Sequence, residues 1–187
     1  MSDFSARLEQ CPTIAAIKSP RDLPAALDAP AGIIFVLHGS ILDIAETVDA
    51  IRAAGKLSLV HIDLLDGLSA KEVAVDYLSA TTGADGIIST KPLLIRRAKE
   101  LGLLAVQRFF LLDSMALENV RRQMTASPAD AVEILPGCMP KIIRQLAAQC
   151  KKPLIASGLM LDKEDVIAAL SAGAAAVSTT NEAIWQL

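Results

Sequence analysis

Short runs of branched and aliphatic residues recur along the chain. Each stops at small or polar residues, and most are followed by apolar positions at helical spacing. The pattern predicts strands at Thr13–Ile17, Ile33–Leu37, Leu57–Asp63, Gly86–Ser89, Leu103–Phe109, Ala131–Leu135, Pro153–Ser157 and Ala174–Ser178. It predicts helices from Ser40 to Ala54, Ser69 to Ser79, Pro92 to Leu101 and Ser114 to Met124. Two more run from Pro136-Gly137 to Gln149 and from Asp162 to Leu170. Arg21–Asp28 contains Pro24 and supports only a turn or two.

Local chemistry marks the ends of these elements. Ser40 can cap the helix at Ile41, and Gly55 can end it. Ser69 with Glu72 has the form of a capping box. Asp113 or Ser114 can cap the fifth helix, and Pro92 and Pro140 suit a first helical turn. Gly102 and Gly173 stand where helices stop.

Eight strand–helix units imply an α/β fold, a compact (β/α)8 barrel spanning residues 1–187 as one domain. A doubly wound open sheet is the alternative. Polar residues end nearly every strand, whereas an open sheet gathers its site at one switch point. A barrel typically needs ~250 residues. At 187 residues this one must have short loops and leaves room for less than a full set of outer helices, the first or the last being the one to give way.

Composition narrows the function classes. The chain is 52% hydrophobic with mean hydropathy +0.43, yet no apolar run approaches the ~20 residues of a membrane span. The apolar excess lies in short segments, as parallel strands buried on both faces require. The N-terminus, with Asp3, Arg7 and Glu9, shows no export signal, and Cys11, Cys138 and Cys150 lack metal-like spacing. Reduced thiols and a cytoplasmic location are expected. With only His38 and His61, no metal or other cofactor is expected. Net charge is −3 and aromatics are 3%, which argues against a stacking platform for single-stranded bases.

In a barrel of this type, chemistry sits where strands end. Those positions are His38, His61, Asp63, Asp66, Lys91, Gln107, Arg108, Asp113, Glu133, Ser157 and Ser178. Two loops stand out: Ser157-Gly158, and Ser178-Thr179-Thr180-Asn181. Gly158 permits close backbone approach, and Thr179, Thr180 or Asn181 can start a helix whose free amides face an anion. Together they point to one phosphate site. Asp63, Lys91, Glu133 and Gly137 complete the candidate ligand contacts, with His61, Gln107 and Arg108 as further possibilities. Each also has a structural reading. Lys91 and Glu133 can form a buried ion pair, Asp63 can cap its own loop, and His61 can be a core histidine. Arg108 has the strand parity of the helix layer. Lys91 could instead form a Schiff base, and Asp63 with Asp66 could hold Mg²⁺.

Five strings in this order are more specific: VHIDLLDGL (Val60–Leu68), DGIISTK (Asp85–Lys91), QRFFLLDS (Gln107–Ser114), VEILPGCMPKII (Val132–Ile143) and GAAAVSTTNEAIW (Gly173–Trp185). They resemble the glycerol-3-phosphate-responsive antiterminators, the glycerol uptake operon regulators of bacteria, from about Pro12 to Trp185. Ser157 stands where that family usually has glycine, and His38 where it often has lysine or threonine. The resemblance implies a barrel that binds glycerol 3-phosphate, has no catalytic residue, and acts on the leader mRNA of glycerol-use genes.

Ligand gating of RNA contact requires a loop or a homodimer contact to change with binding. Basic residues cluster on three successive helices: Arg96, Arg97 and Lys99; Arg121 and Arg122; Lys141, Arg144, Lys151 and Lys152. That face is the expected RNA contact, set against the plainer reading of solvated helix surfaces. The competing function is a phosphosugar isomerase, aldolase or lyase using Lys91, Glu133 and His61 as electrophile, base and acid. A scaffold that has lost both activities is a third reading.

Overall fold

The computed structural model describes residues 3–187. Eight parallel strands close into a barrel in sequence order, β8 pairing with β1. They are β1 (Thr13–Ile17), β2 (Ile33–Val36), β3 (Leu57–His61), β4 (Gly86–Ser89), β5 (Leu104–Phe110), β6 (Ala131–Leu135), β7 (Leu154–Ser157) and β8 (Ala176–Thr179). A helix precedes them, α1 (Asp3–Gln10), and one follows each: α2 (Leu23–Asp28), α3 (Ile44–Ala53), α4 (Glu72–Thr81), α5 (Pro92–Glu100), α6 (Ser114–Ala126), α7 (Pro140–Ala147), α8 (Lys163–Ser171) and α9 (Glu182–Trp185). No outer helix is absent among the described residues, but the first and last fall short of a full helix, as the chain length implied. The economy is made by shrinking the first and last, α2 and α9.

Interior positions alternate along each strand. Ile14 and Ala16, Ile33 and Phe35, Leu57 and Leu59, Ile88, Val106, Ala131, Ile155 and Ala176 fill the barrel. The opposite parity packs under the helices in two further clusters, one on the β1–β4 side and one on the β5–β8 side. Every residue of β1–β4 is buried, as two-sided parallel strands require.

The amino-terminal helix was not expected. Phe4 and Leu8 of α1, one helical turn apart, join the interior cluster, and Arg7 donates to the carbonyls of Gly32 and Gly55. These carbonyls precede β2 and β3, so α1 closes the end of the barrel where strands begin. The end where strands finish is not closed in this way.

Two expected caps differ. Ser40 does not open a helix; Asp43 Oδ1 accepts from the Ser40 amide (2.6 Å) and hydroxyl (3.1 Å), and α3 starts at Ile44. Ser69 and Glu72 make no capping box, because α4 begins at Glu72 itself. Asp113 does cap α6, accepting from the Ala116 amide at 2.8 Å, and Pro92 and Pro140 open their helices.

Candidate functional site

Where the strands end, a cavity of about 420 Å³ opens between β7, β8 and β1. Its walls are the end of β7 with the loop after it (Ser157–Leu161) and the end of β8 with the loop after it (Ser178–Asn181). They are faced by Ala16 in β1, Lys18 just beyond it, Leu37 after β2, and Arg108 and Leu135.

Hydrogen bonds hold the two loops together. The Thr179 hydroxyl donates to the Met160 carbonyl (3.3 Å) and accepts from the Asn181 amide (3.1 Å). The Asn181 side chain donates to the Leu161 carbonyl (2.8 Å), and the buried Trp185 indole donates to the Thr179 carbonyl (2.7 Å). The Gly137 amide donates to the Gly158 carbonyl (2.9 Å), and a side chain at Gly137 would meet the Ser157 nitrogen at 2.7 Å. Gly137 therefore supports the cradle from behind.

Polar groups inside the cavity remain unspent. Ser178 Oγ is buried and has no partner. Gly158 (φ 71°) and Leu159 (φ 57°) are successive left-handed residues, and Leu159 is the one non-glycine with positive φ among those described. That conformation costs a branched side chain about 1–2 kcal/mol. Both residues belong to the loop that walls the cavity.

The charges favour an anion. No carboxylate lines the cavity, and among the described residues the Lys18 ammonium makes no salt bridge, although its charge acts on the nearby Asp22 carboxylate. Arg108 and Glu133, register partners on β5 and β6, form a buried two-pronged pair: Nε–Oε2 2.5 Å and Nη2–Oε1 3.1 Å. Arg108 thus faces the barrel interior, two residues beyond Val106. The expectation that it faces the helix layer is corrected, and so is the pairing of Glu133 with Lys91. His61 stays neutral. Burial, then the Arg108 charge, pushes its imidazole down to about 4, against the opposing pull of Asp63.

The opposite side of the mouth is built differently. Asp63 accepts from the Ser89 hydroxyl (2.9 Å), the Thr90 amide and hydroxyl (both 2.8 Å) and the Lys91 ammonium (3.3 Å). Burial works to raise its carboxyl, but these bonds, led by those from Thr90, hold it below the usual value. Asp63 organises the β4–α5 loop rather than opening toward the cavity.

Of the expected contacts, Ser157, Gly158, Ser178, Thr179, Thr180 and Arg108 converge on one cavity. Asp63, Lys91, Glu133, Gly137, His61 and Gln107 do not line it. Gln107 points the other way, between α5 and α6. Lys91, Glu133 and His61 do not converge as an electrophile, base and acid would, since Lys91 is taken by Asp63 and Glu133 by Arg108. Lys18 and Leu159 were missed, whereas Asn181 opens the last helix as one of the three expected candidates. Lys18 was legible, lying at the parity of Ile14 and Ala16 just beyond the first strand.

The basic helix face divides too. Arg97 pairs with Asp76 (2.7 Å) and Glu100 (2.9 Å), Lys99 with Asp130 (2.7 Å), and Arg121 with Glu118 (2.5 Å). Arg122 donates to Asn119 and Lys152 to the Ser127 carbonyl. Arg96, Lys141 and Arg144 are exposed and have no such partner among the described residues. No group of three or more metal-ligating side chains occurs among the described residues, and no helix there is long and apolar enough to cross a membrane.

Residues 13–185 match the family model described as glycerol-3-phosphate responsive antiterminator. The uncharacterized protein YgcP of Escherichia coli (strain K12) is 43% identical over 180 residues, covering 96% of this chain and 94% of that one. Among solved structures, the glycerol uptake operon antiterminator regulatory protein of Listeria monocytogenes str. 4b F2365 is 31% identical with a TM-score of 0.89, covering 94% of this chain and 95% of its own. A glycerol uptake operon antiterminator-related protein of Thermotoga maritima MSB8 is 32% identical with a TM-score of 0.83, covering 94% and 98%.

Proposed function

Since the chain belongs to the glycerol-3-phosphate responsive antiterminator family, we propose that it is a cytoplasmic sensor of glycerol 3-phosphate that acts on the leader RNA of glycerol-use genes. The observation that carries this reading is the β7/β8 cradle. A buried, unpartnered Ser178 hydroxyl, left-handed backbone at Gly158-Leu159 and the unpaired Lys18 ammonium share one cavity free of carboxylates. A phosphate dianion supplies the acceptors these donors lack. The glycerol end then lies toward Arg108, which spends Nε and Nη2 on Glu133 and keeps other N–H groups for hydroxyls.

The ligand reports to RNA only through a difference in its affinity for two states. The β7–α8 loop, with its left-handed Leu159, is the part of the mouth whose conformation a bound phosphate would favour. Arg96, Lys141 and Arg144, unpaired on the outer helices, are the first candidates for RNA phosphates.

The test is thermal unfolding with glycerol 3-phosphate. At a hundredfold excess over Kd the ligand adds about 2.7 kcal/mol. Ser178→Asp, which puts a negative charge in the cradle, removes the shift. Ser178 is fully buried, and an unpaired charge there is costly. Circular dichroism of the unliganded variant and a weakened shift in Ser178→Ala therefore separate loss of binding from loss of fold. A shift retained in Ser178→Asp overturns the site, and turnover of glycerol 3-phosphate or dihydroxyacetone phosphate overturns the sensor.

A further inference from the structure

A second polar cavity lies outside the barrel, between α5 and α6. It measures about 230 Å³ and is bounded by Pro92 and Arg96 of α5, Gln123 of α6, and Ser127 and Pro128 beyond it. Its floor is Gln107, which β5 turns outward beside Ala105. Gln107 is 1% exposed, yet neither its Nε2 nor its Oε1 has a hydrogen-bond partner. Buried amides are nearly always paired. One left open at both ends, inside a cavity, marks a place where an occupant supplies the missing donor and acceptor.

The surroundings select the occupant. A carboxamide presents a donor and an acceptor side by side, and the edge of a nucleobase is its complement. Arg96 is exposed and unpaired; its planar cation suits both the face of a base and a phosphate. Lys152 reaches the Ser127 carbonyl at the cavity rim, while nearby Asp130 is already held by Lys99. The local field is positive, so a nucleotide fits better than a neutral peptide amide. The volume is below the roughly 300 Å³ at which pockets for larger ligands begin, which suits one base.

We propose that this cleft receives a single unstacked base of a single-stranded RNA, with Gln107 reading its edge and Arg96 holding its face or its phosphate. The proposal rests on the reading that the chain acts on RNA, and it adds a base-reading site on the outer helices.

The experiment is an NMR titration of the ¹⁵N-labelled full chain with AMP, GMP, CMP and UMP at millimolar concentration, with ribose 5-phosphate and acetamide as controls. The Gln107 side-chain amide signals are identified by their absence from Gln107→Leu. They are expected to shift with at least one nucleotide and with neither control. Gln107→Leu should weaken that nucleotide's effect on the Arg96 and Gln123 backbone signals at least about fivefold, the lower end for a two-point base contact. No response to any nucleotide, an equal response to acetamide, or an undiminished effect in Gln107→Leu overturns the proposal and leaves ordinary water as the amide's partner. Thermal shift by glycerol 3-phosphate on the same samples separates the two sites. Its loss with the nucleotide response intact sinks the ligand reading alone, and the reverse sinks only this one.

Discussion

The two sides of the barrel mouth use the same kinds of residue to opposite ends. Around β3 and β4, Asp63, Ser89, Thr90 and Lys91 spend their hydrogen bonds on one another. Around β7, β8 and β1, among the described residues Ser178 has no partner and Lys18 makes no salt bridge, and the backbone at Leu159 is left-handed. A polar strand end is therefore not a site because it is polar. Self-satisfied groups make a rigid rim, and groups left wanting make a place for a ligand. Between the sides lies the buried Arg108–Glu133 pair, internally neutral but with arginine donors still free.

The largest effect should come from breaking that pair. Glu133→Gln leaves a buried guanidinium without its counter-charge, a loss of about 3–5 kcal/mol and a fall in Tm on the order of 10 °C. Arg108→Met combined with Glu133→Leu should recover most of that stability while weakening glycerol 3-phosphate binding. Thermal unfolding and calorimetry of the three proteins would show whether the pair supports the fold or only the ligand. If the double variant stays as unstable as Glu133→Gln, the uncompensated charge is not the cause.

The lysines set the two sides against each other directly. Lys18→Ala should weaken glycerol 3-phosphate by roughly ten- to a hundredfold, the range of a charge-assisted hydrogen bond. Lys91→Ala should change affinity less than about twofold, because Lys91 already serves Asp63. Equal losses, read by calorimetry, would dissolve the distinction between the two rims.

Asp63 gives the pH-dependent form of the comparison. Its folded carboxyl lies below the ordinary value despite burial, through the bonds from Thr90, Ser89 and Lys91. The stability this contributes is present above the unfolded value of about 3.9 and is lost as pH falls through the lower folded value. Asp63→Asn should cost about 1–3 kcal/mol at neutral pH, with a smaller change in ligand affinity. It should also lose less stability than the parent chain on acidification below about pH 4. Parallel curves for the two proteins would show that Asp63 is not the titrating group.

How much of this could be read beforehand depended on what burial leaves visible. The strands were legible because their apolar runs are short and end sharply; β1, β4 and β6 fall where the pattern put them. Which face of a strand points inward was not legible, since Ala105 and Val106 are equally buried, one outside the barrel and one inside. That ambiguity misplaced Arg108 and concealed its pairing with Glu133. The helix α1 was hidden for another reason. Two apolar residues, Phe4 and Leu8, give a helix little signature until a closed barrel exists for them to plug. The cradle was legible as small polar residues after the last two strands. Lys18 lies one residue beyond the last apolar position of the first run, so the hydrophobic pattern alone does not mark it.

The same rule extends to the outer helices, where the expected effect is smallest. Arg96 and Arg97 are adjacent on α5, yet Arg97 is tied to Asp76 and Glu100 while Arg96 is unpaired. If unspent charge marks function there, as we propose for the mouth, Arg96→Ala should weaken binding of a glycerol-operon leader transcript and reduce the slope of log affinity against log salt by about one. Arg97→Ala should leave that slope in place and instead lower Tm slightly, because it removes a bridge between α4 and α5. An exposed ion pair holds its partners weakly, so RNA could compete for Arg97. A salt slope that falls equally in both variants would show that pairing in the free protein does not decide which cations RNA uses. The rule separating the two sides of the mouth would then apply only where the groups are buried.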